Sequence, residues 1–358
     1  MKVADIPTKD KKRIAELEAK LVAQKDHIDG ESVYLRAKVA TLTKQVQGYL
    51  KAEVKVREHV AAVQQAVRAL DPLPKFTYIK PKKDTGSPIT AVVHLTDWHV
   101  GEYIRQAETE GWGSYSWAIA QDRIMGQFLP QFLRWLDTQR SGYLIDKIVV
   151  VVTGDMVSGD IHQELLVTNE FPLPIQTANA GDLLGRFIAE LSRHCAELEV
   201  VEIGADNHSR LVRKPQAKQK AQNSMSLLVY HIANKELERH SNVKIKIAEG
   251  MKLLFDIAGT PFLGEHGDTV KSWMGVPWYG IEREKAREAT RRMFDGRGFK
   301  YLIMGHWHTP HFAQNIVGGC LSGTTEYDHS CGRLSKPAQT AFLVGKHGAF
   351  NFCAFYLK

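Results

Sequence analysis

Five short stretches of this chain gather side chains that can bind a cation: Asp97-Trp98-His99, Gly154-Asp155, Asn207-His208, His266-Gly267 and Gly305-His306-Trp307-His308. Together they offer carboxylate and amide oxygens and imidazole nitrogens but no thiolate. That donor set suits manganese, iron or zinc rather than calcium or a structural zinc. Asp155 stands out within it, because a carboxylate has lone pairs enough to serve two cations at once. Each stretch alone has an ordinary reading: a capping Asp beside a structural His also gives Asp-x-His, and an isolated Gly-Asp is usually a turn. Their repeated placement argues against coincidence.

That placement comes from the elements upstream. Ile89 to Leu95 is a short apolar run rich in β-branched residues, the pattern of a buried strand, and it ends two residues before Asp97. Lys147 to Val152 runs into Thr153-Gly154-Asp155, where Gly154 permits a tight turn. Glu199 to Gly204 leads to Ala205-Asp206-Asn207-His208-Ser209-Arg210, Thr260 to Leu263 leads to Gly264-Glu265-His266, and Tyr301 to Met304 leads to Gly305-His306. Five strands thus deliver ligand types at their C-terminal ends, the edge where open α/β sheets hold ligands. His306 and His308, one residue apart, are expected to point the same way along an extended strand and so to address adjacent metals. The polar loop Ser158-Gly159-Asp160-Ile161-His162 adds His162 as a further candidate ligand. Arg210, Arg213 and Lys214 place positive charge suited to phosphate just past Asn207-His208; the alternative is a solvated basic turn.

Between the strands, helical periodicity covers 116–140, 175–197, 218–240 and 282–295. Val243 to Ile247 alternates as a half-exposed strand, and a hairpin through Lys346-His347-Gly348 closes the chain.

The N-terminal quarter is of another kind. An apolar residue recurs every seventh position at Ile14, Leu21, Ile28, Leu35, Leu42, Tyr49, Val56, Val63 and Leu70, which predicts a long helix with one coiled-coil line. A second line shifts from Leu17 to Val39, Val46, Val60 and Val67, Asp29-Gly30 is a point where the helix could divide, and helices packed on the main domain are the alternative. The domain reading is therefore a helical coiled-coil arm over 1–71, a Pro- and Lys-bearing linker over 72–88, and a catalytic domain over 89–358. Residues 1–83 hold 18 Lys+Arg against 10 Asp+Glu, a net of +8, so the remainder of this +7 chain is close to neutral. A polyanion such as nucleic acid is one partner for that charge, and a solvated helix surface is the other reading. The arm is also expected to join copies of the chain into a homo-oligomer. No stretch approaches the ~20 apolar residues of a membrane span, and the start Met1-Lys2-Val3-Ala4-Asp5 lacks a signal-peptide core, so a cytosolic protein without membrane contact is expected. The four cysteines, Cys195, Cys320, Cys331 and Cys353, show no C-x-x-C spacing and read as reduced thiols.

In order, D-x-H, G-D, N-H, H-G and G-H-x-H make residues 89–345 resemble the calcineurin-like metallophosphoesterases. The resemblance implies an α/β fold, a four-layer α/β/β/α sandwich, here preceded by the helical arm, with two divalent metals, manganese first and iron or zinc next. It implies one metal held by Asp97, His99, Asp155 and His308, the other by Asp155, Asn207, His266 and His306. His208 would approach the scissile phosphate as proton donor or charge stabiliser. The usual G-N-H-[D/E] is here Asp206-Asn207-His208-Ser209, so the acid that normally positions the histidine is a serine. The long loop after Asp155, the N-H-x-Arg turn and Gly323-Thr324-Thr325-Glu326-Tyr327 look most like phage and bacterial relatives of double-strand-break-repair nucleases, which implies a phosphodiesterase acting on DNA in the cytoplasm, the host's if phage-encoded. Arg210 and Arg213 would bind substrate phosphate. The competing readings are a phosphomonoesterase or cyclic-nucleotide phosphodiesterase, and a coiled-coil assembly protein carrying a weakly active phosphoesterase module.

Overall fold

The computed structural model describes residues 8–68, 87–273 and 276–358, so all but the last two residues of the expected linker lie outside the described residues. Two compact units divide between Ala61 and Ala62. Helix α1 spans Thr8–Arg68, through Asp29-Gly30, so its last seven residues belong to the second unit. Of the expected coiled-coil lines, Ile14, Leu17, Leu21, Val39, Leu42 and Val60 are exposed, Val67 is half-buried and Val63 is buried. The side chains of Ile28, Leu35, Tyr49 and Val56, and all of Leu70, lie outside the described residues.

After the end of α1 the second unit has β1 (Ser87–Leu95), then α2 (Trp117–Gln121), a π-helical stretch (Asp122–Phe128), α3 (Leu129–Gln139), β2 (Tyr143–Val152), α4 (Gln163–Thr168) and α5 (Leu173–Ser192). It continues with β3 (Glu197–Glu202), α6 (Met225–Leu237), β4 (Val243–Ile247), β5 (Lys252–Ile257), β6 (Thr260–Glu265) and α7 (Trp278–Met293). Last come β7 (Tyr301–Met304), β8 (His311–Phe312), β9 (Asn315–Val317), α8 (Glu326–Ser330), β10 (Ala338–Gly345) and β11 (Gly348–Tyr356). The helix read over 116–140 runs without a break from Trp117 to Gln139 with a π-helical middle, and Pro130, which has no N–H to give, follows that middle in the first turn of α3. The helix read from 218 starts at Met225, where the Ser224 hydroxyl accepts the Ser226 N–H as cap.

The strands form two sheets, β11-β10-β1-β2-β3-β4 and β5-β6-β7-β9-β8. In the first, β1 to β4 are mutually parallel and β10 joins β1 antiparallel. Side-chain alternation then decides the layers. Ala91, Val93, Leu95, Val150, Val152, Leu198 and Val200 face helices, meeting Phe128, Phe132, Phe187, Ile188, Val229 and Tyr230. Their neighbours Val92, Val149, Val151 and Val201 face the other way and pack on Phe255, Phe262, Ile303 and Ile316 of the second sheet. The outer face of that sheet, with Leu263, Leu302, Met304 and Val317, is covered by Ile281 of α7. The result is helices, sheet, sheet and helix in four layers. Leu95 pairs with Val152 and Val152 with Glu202, so β1, β2 and β3 end level. Gly264 pairs with Ile303, bringing the ends of β6 and β7 together.

No helix among the described residues is long and apolar enough to cross a membrane. The four cysteines are free thiols.

Candidate metal centre

The loops leaving β1 and β2 stay hydrogen-bonded past the sheet: Asp97 N–H to Gly154 O (3.1 Å), His99 N–H to Asp155 O (3.0 Å) and Val100 N–H to Met156 O (3.0 Å). Their side chains therefore emerge side by side. Three groups of candidate ligand atoms result, each within 4.8 Å internally: Asp97, His99 and His308; His99, Asp155 and His208; and Asp155, His266 and His306. Asn207 belongs with the third, its Oδ1 3.0 Å from His266 Nε2. All seven residues expected as ligands thus lie in one cluster with His208, and His99 and Asp155 each face two groups.

Backbone conformation sets this arrangement. Asp97 (φ 53°), His99 (φ 49°), Asp155 (φ 49°), His306 (φ 68°) and His308 (φ 56°) are all left-handed, a conformation that costs a non-glycine residue roughly 1–3 kcal/mol. Five such residues at one site are held there by the cluster's contacts. They also correct the expectation for His306 and His308. Strand β7 ends at Met304, and the two rings leave a bent loop toward different groups, His306 to Asp155 and His266, His308 to Asp97 and His99.

Each ring is oriented by a partner behind it. His266 Nδ1–H donates to Thr153 O (2.7 Å), which turns Nε2 to Asp155 Oδ2 (3.0 Å) and Asn207 Oδ1. His208 Nδ1–H donates to the Ser158 carbonyl (2.8 Å) and its backbone N–H to Asp155 Oδ1 (3.0 Å), leaving Nε2 to address the cluster. The carbonyl of Ser158 thus does the orienting that Ser209 does not, because the Ser209 hydroxyl bonds Asp206 and Ser224 instead. Asp97 accepts the Thr96 hydroxyl (2.5 Å) and the His306 N–H (2.9 and 3.0 Å).

Asp97 and Asp155 are 0% and 1% exposed, so burial opposes their charge. The imidazoles win: His308 holds Asp97 down to about 2, and His266 and His208 hold Asp155 well below the carboxylate range. Burial opposes charge on His266 as well, and Asp155 overrides it, raising the ring to about 10. Among the described residues the ion partners of these two carboxylates are histidines, not Lys or Arg. A buried charge is normally paired or bound to metal. The donors fit a divalent cation in spacing as well. His99 Nε2 and His308 Nε2 are 3.3 Å apart, the edge of a tetrahedron with bonds of ~2.0–2.1 Å. The 3.0 Å separations around His266 Nε2 match octahedral edges at ~2.1 Å.

The other expected residues are His162, Arg210 and Arg213. His162, exposed, falls outside the three groups but its ring is 5.5 Å from that of His208. Arg210 turns back on its own loop, donating to Val212 O and Arg213 O (both 3.0 Å), and Arg213 is exposed. Three contributors left no pattern to find: the carbonyls of Thr153 and Ser158, which every residue type carries, and Glu102. The Glu102 carboxyl is pushed up to about 7 by burial and lies 3.9 Å from His99 Nδ1, a buried nitrogen with no hydrogen-bond partner.

No family model and no curated protein matches the chain. Among solved structures it is similar to an archaeal phosphodiesterase, at 8% identity over 75% of this chain and 99% of that one, with a TM-score of 0.31. It is also similar to Vps29 of Entamoeba histolytica complexed with zinc, at 14% identity over 74% and 99% with a TM-score of 0.27, and to the sulfate thiohydrolase SoxB of Thermus thermophilus, at 8% over 78% and 57% with a TM-score of 0.29.

Proposed function

We propose that this chain is a divalent-metal-dependent phosphoesterase of the calcineurin-like type that hydrolyses phosphodiesters, DNA first among them. The observation that carries the reading is the pair Asp97 and Asp155, both buried, with imidazoles as ion partners at ligand-to-ligand spacings. One cation is assigned to Asp97, His99, Asp155 and His308, the other to Asp155, Asn207, His266 and His306, with manganese preferred and iron or zinc acceptable to the same donors. When bound, two such cations supply Lewis-acid polarisation of the phosphoryl group and a water acidic enough to attack at neutral pH.

The chain's own residues supply the rest. His208, with Nδ1 committed to Ser158 O, presents Nε2 as proton donor to the departing oxygen. Arg210 keeps N–H groups beyond the two spent on its loop, and with Arg213 it binds phosphate at the rim. DNA as substrate rests on the motif resemblance and the basic first 83 residues. The exposed apolar side chains of α1, with Leu21 72% and Val39 61% exposed, support pairing with a second copy.

The test is a panel of bis-p-nitrophenyl phosphate, p-nitrophenyl phosphate, cyclic nucleotides, and single- and double-stranded DNA, each with EDTA and with added manganese. Diester hydrolysis should vanish on chelation and return with manganese. Undiminished turnover after chelation refutes the reading, and a preference for the monoester or a cyclic nucleotide reassigns the substrate.

A further inference from the structure

Asp206 is fully buried beside the cluster, yet all of its acceptor directions are taken. Oδ2 receives the Asp155 backbone N–H (2.9 Å) and the Ser226 hydroxyl (2.6 Å). Oδ1 receives the Ser209 backbone N–H (2.9 Å) and the Ser209 hydroxyl. The Ser209 hydroxyl is joined in turn to Ser224 (2.6 Å), the cap of α6. A carboxylate so saturated has no lone pair to give a cation or a substrate. Its side chain also presses on the turn before Asp155: a Cβ added to Gly154, which has φ +96°, would meet Asp206 Cβ at 2.8 Å and Oδ2 at 2.9 Å.

We infer that Asp206 is a positioning residue whose carboxylate, anchored on the start of α6, fixes the left-handed backbone of Asp155 and so aims the shared carboxylate of the metal centre. The inference rests on the metal reading above. The chain of contacts is short. Asp155 N–H is held by a buried anion, a stronger bond than a neutral acceptor makes. The Asp155 carboxylate then accepts the His208 N–H and faces His266, so a shift of this one peptide moves both. A carboxylate is needed because two of its donors are backbone N–H groups, at Asp155 and Ser209, which cannot turn round to accept. The amide of Asn serves one of them and confronts the other with N–H.

The test reads metal binding rather than turnover. Manganese is titrated calorimetrically into the chelator-stripped full-length protein, wild type against Asp206→Ala, Asp206→Asn and Ser226→Ala, with melting curves in EDTA alongside. Asp206→Ala should weaken manganese binding ~10–100-fold, the range seen for partners of metal ligands, with Asp206→Asn between it and wild type. Ser226→Ala keeps the Asp155 hydrogen bond but removes the direct anchor on α6, so its loss of affinity should be smaller than that of Asp206→Ala and in the same direction. If Asp206→Ala does not fold, Asp206→Asn decides. A lower melting temperature with unchanged manganese affinity makes the network merely stabilising and overturns the inference. Wild type that binds neither manganese nor zinc overturns the metal reading itself, a distinct result.

Discussion

Replacing His208 with Gln separates a proton donor from a metal ligand. The imidazole is half-buried, its Nδ1–H is held by Ser158 O at 2.8 Å, and its ring stands edge-on to His99 at 4.5 Å. Glutamine can still hydrogen-bond at that position but cannot deliver a proton, so the change tests proton transfer with little loss of packing. General acid catalysis contributes ~10²–10⁴-fold, equivalent to about 3–5 kcal/mol of barrier. That cost should appear in full in kcat for DNA, whose leaving alkoxide needs a proton. It should be much smaller for bis-p-nitrophenyl phosphate, because p-nitrophenolate departs as a stable anion. The assay is kcat on both substrates with saturating manganese, accompanied by metal analysis. An equal loss on the two substrates would refute proton donation, and loss of bound metal would make His208 a ligand instead.

Two further outcomes are expected. Glu202 is fully buried beside Asn234, and burial raises its carboxyl from 4.5 to about 8. Between those values the unfolded chain releases the proton while the folded one keeps it, so stability falls as pH rises. Glu202→Gln should therefore flatten the denaturant-measured profile between pH 5 and 8 and gain a few kcal/mol at the alkaline end, with identical profiles refuting the assignment. Removing residues 1–61 leaves every candidate ligand in place, so chromogenic diester hydrolysis should persist while light scattering shows fewer copies per particle; an unchanged copy number leaves α1 without its pairing role.

The strands that carry the centre were legible because a buried strand must be apolar along its length. Ile89 to Leu95, Lys147 to Val152 and Tyr301 to Met304 announce themselves, and the polar residue that ends each run marks the edge of the sheet. What could not be read is whatever depends on backbone atoms or on chain brought in from elsewhere. Thr153 and Ser158 act through carbonyls, and Asp206 acts across 51 residues on the Asp155 amide.

His306 and His308 show the same limit within a single motif. Spacing by one residue implies a common direction only if the backbone between them stays extended. Both residues are left-handed, and the His306 N–H is drawn onto the Asp97 carboxylate, so the chain bends between them. The bend sends one ring to each side, and that separation is what lets one short motif serve two groups, His308 with Asp97 and His99, His306 with Asp155 and His266. The local strain, of order 1–3 kcal/mol per residue, is therefore tied to the division of the two imidazoles between two ligand groups, and the G-H-x-H pattern encodes it only through the contacts that Asp97 supplies.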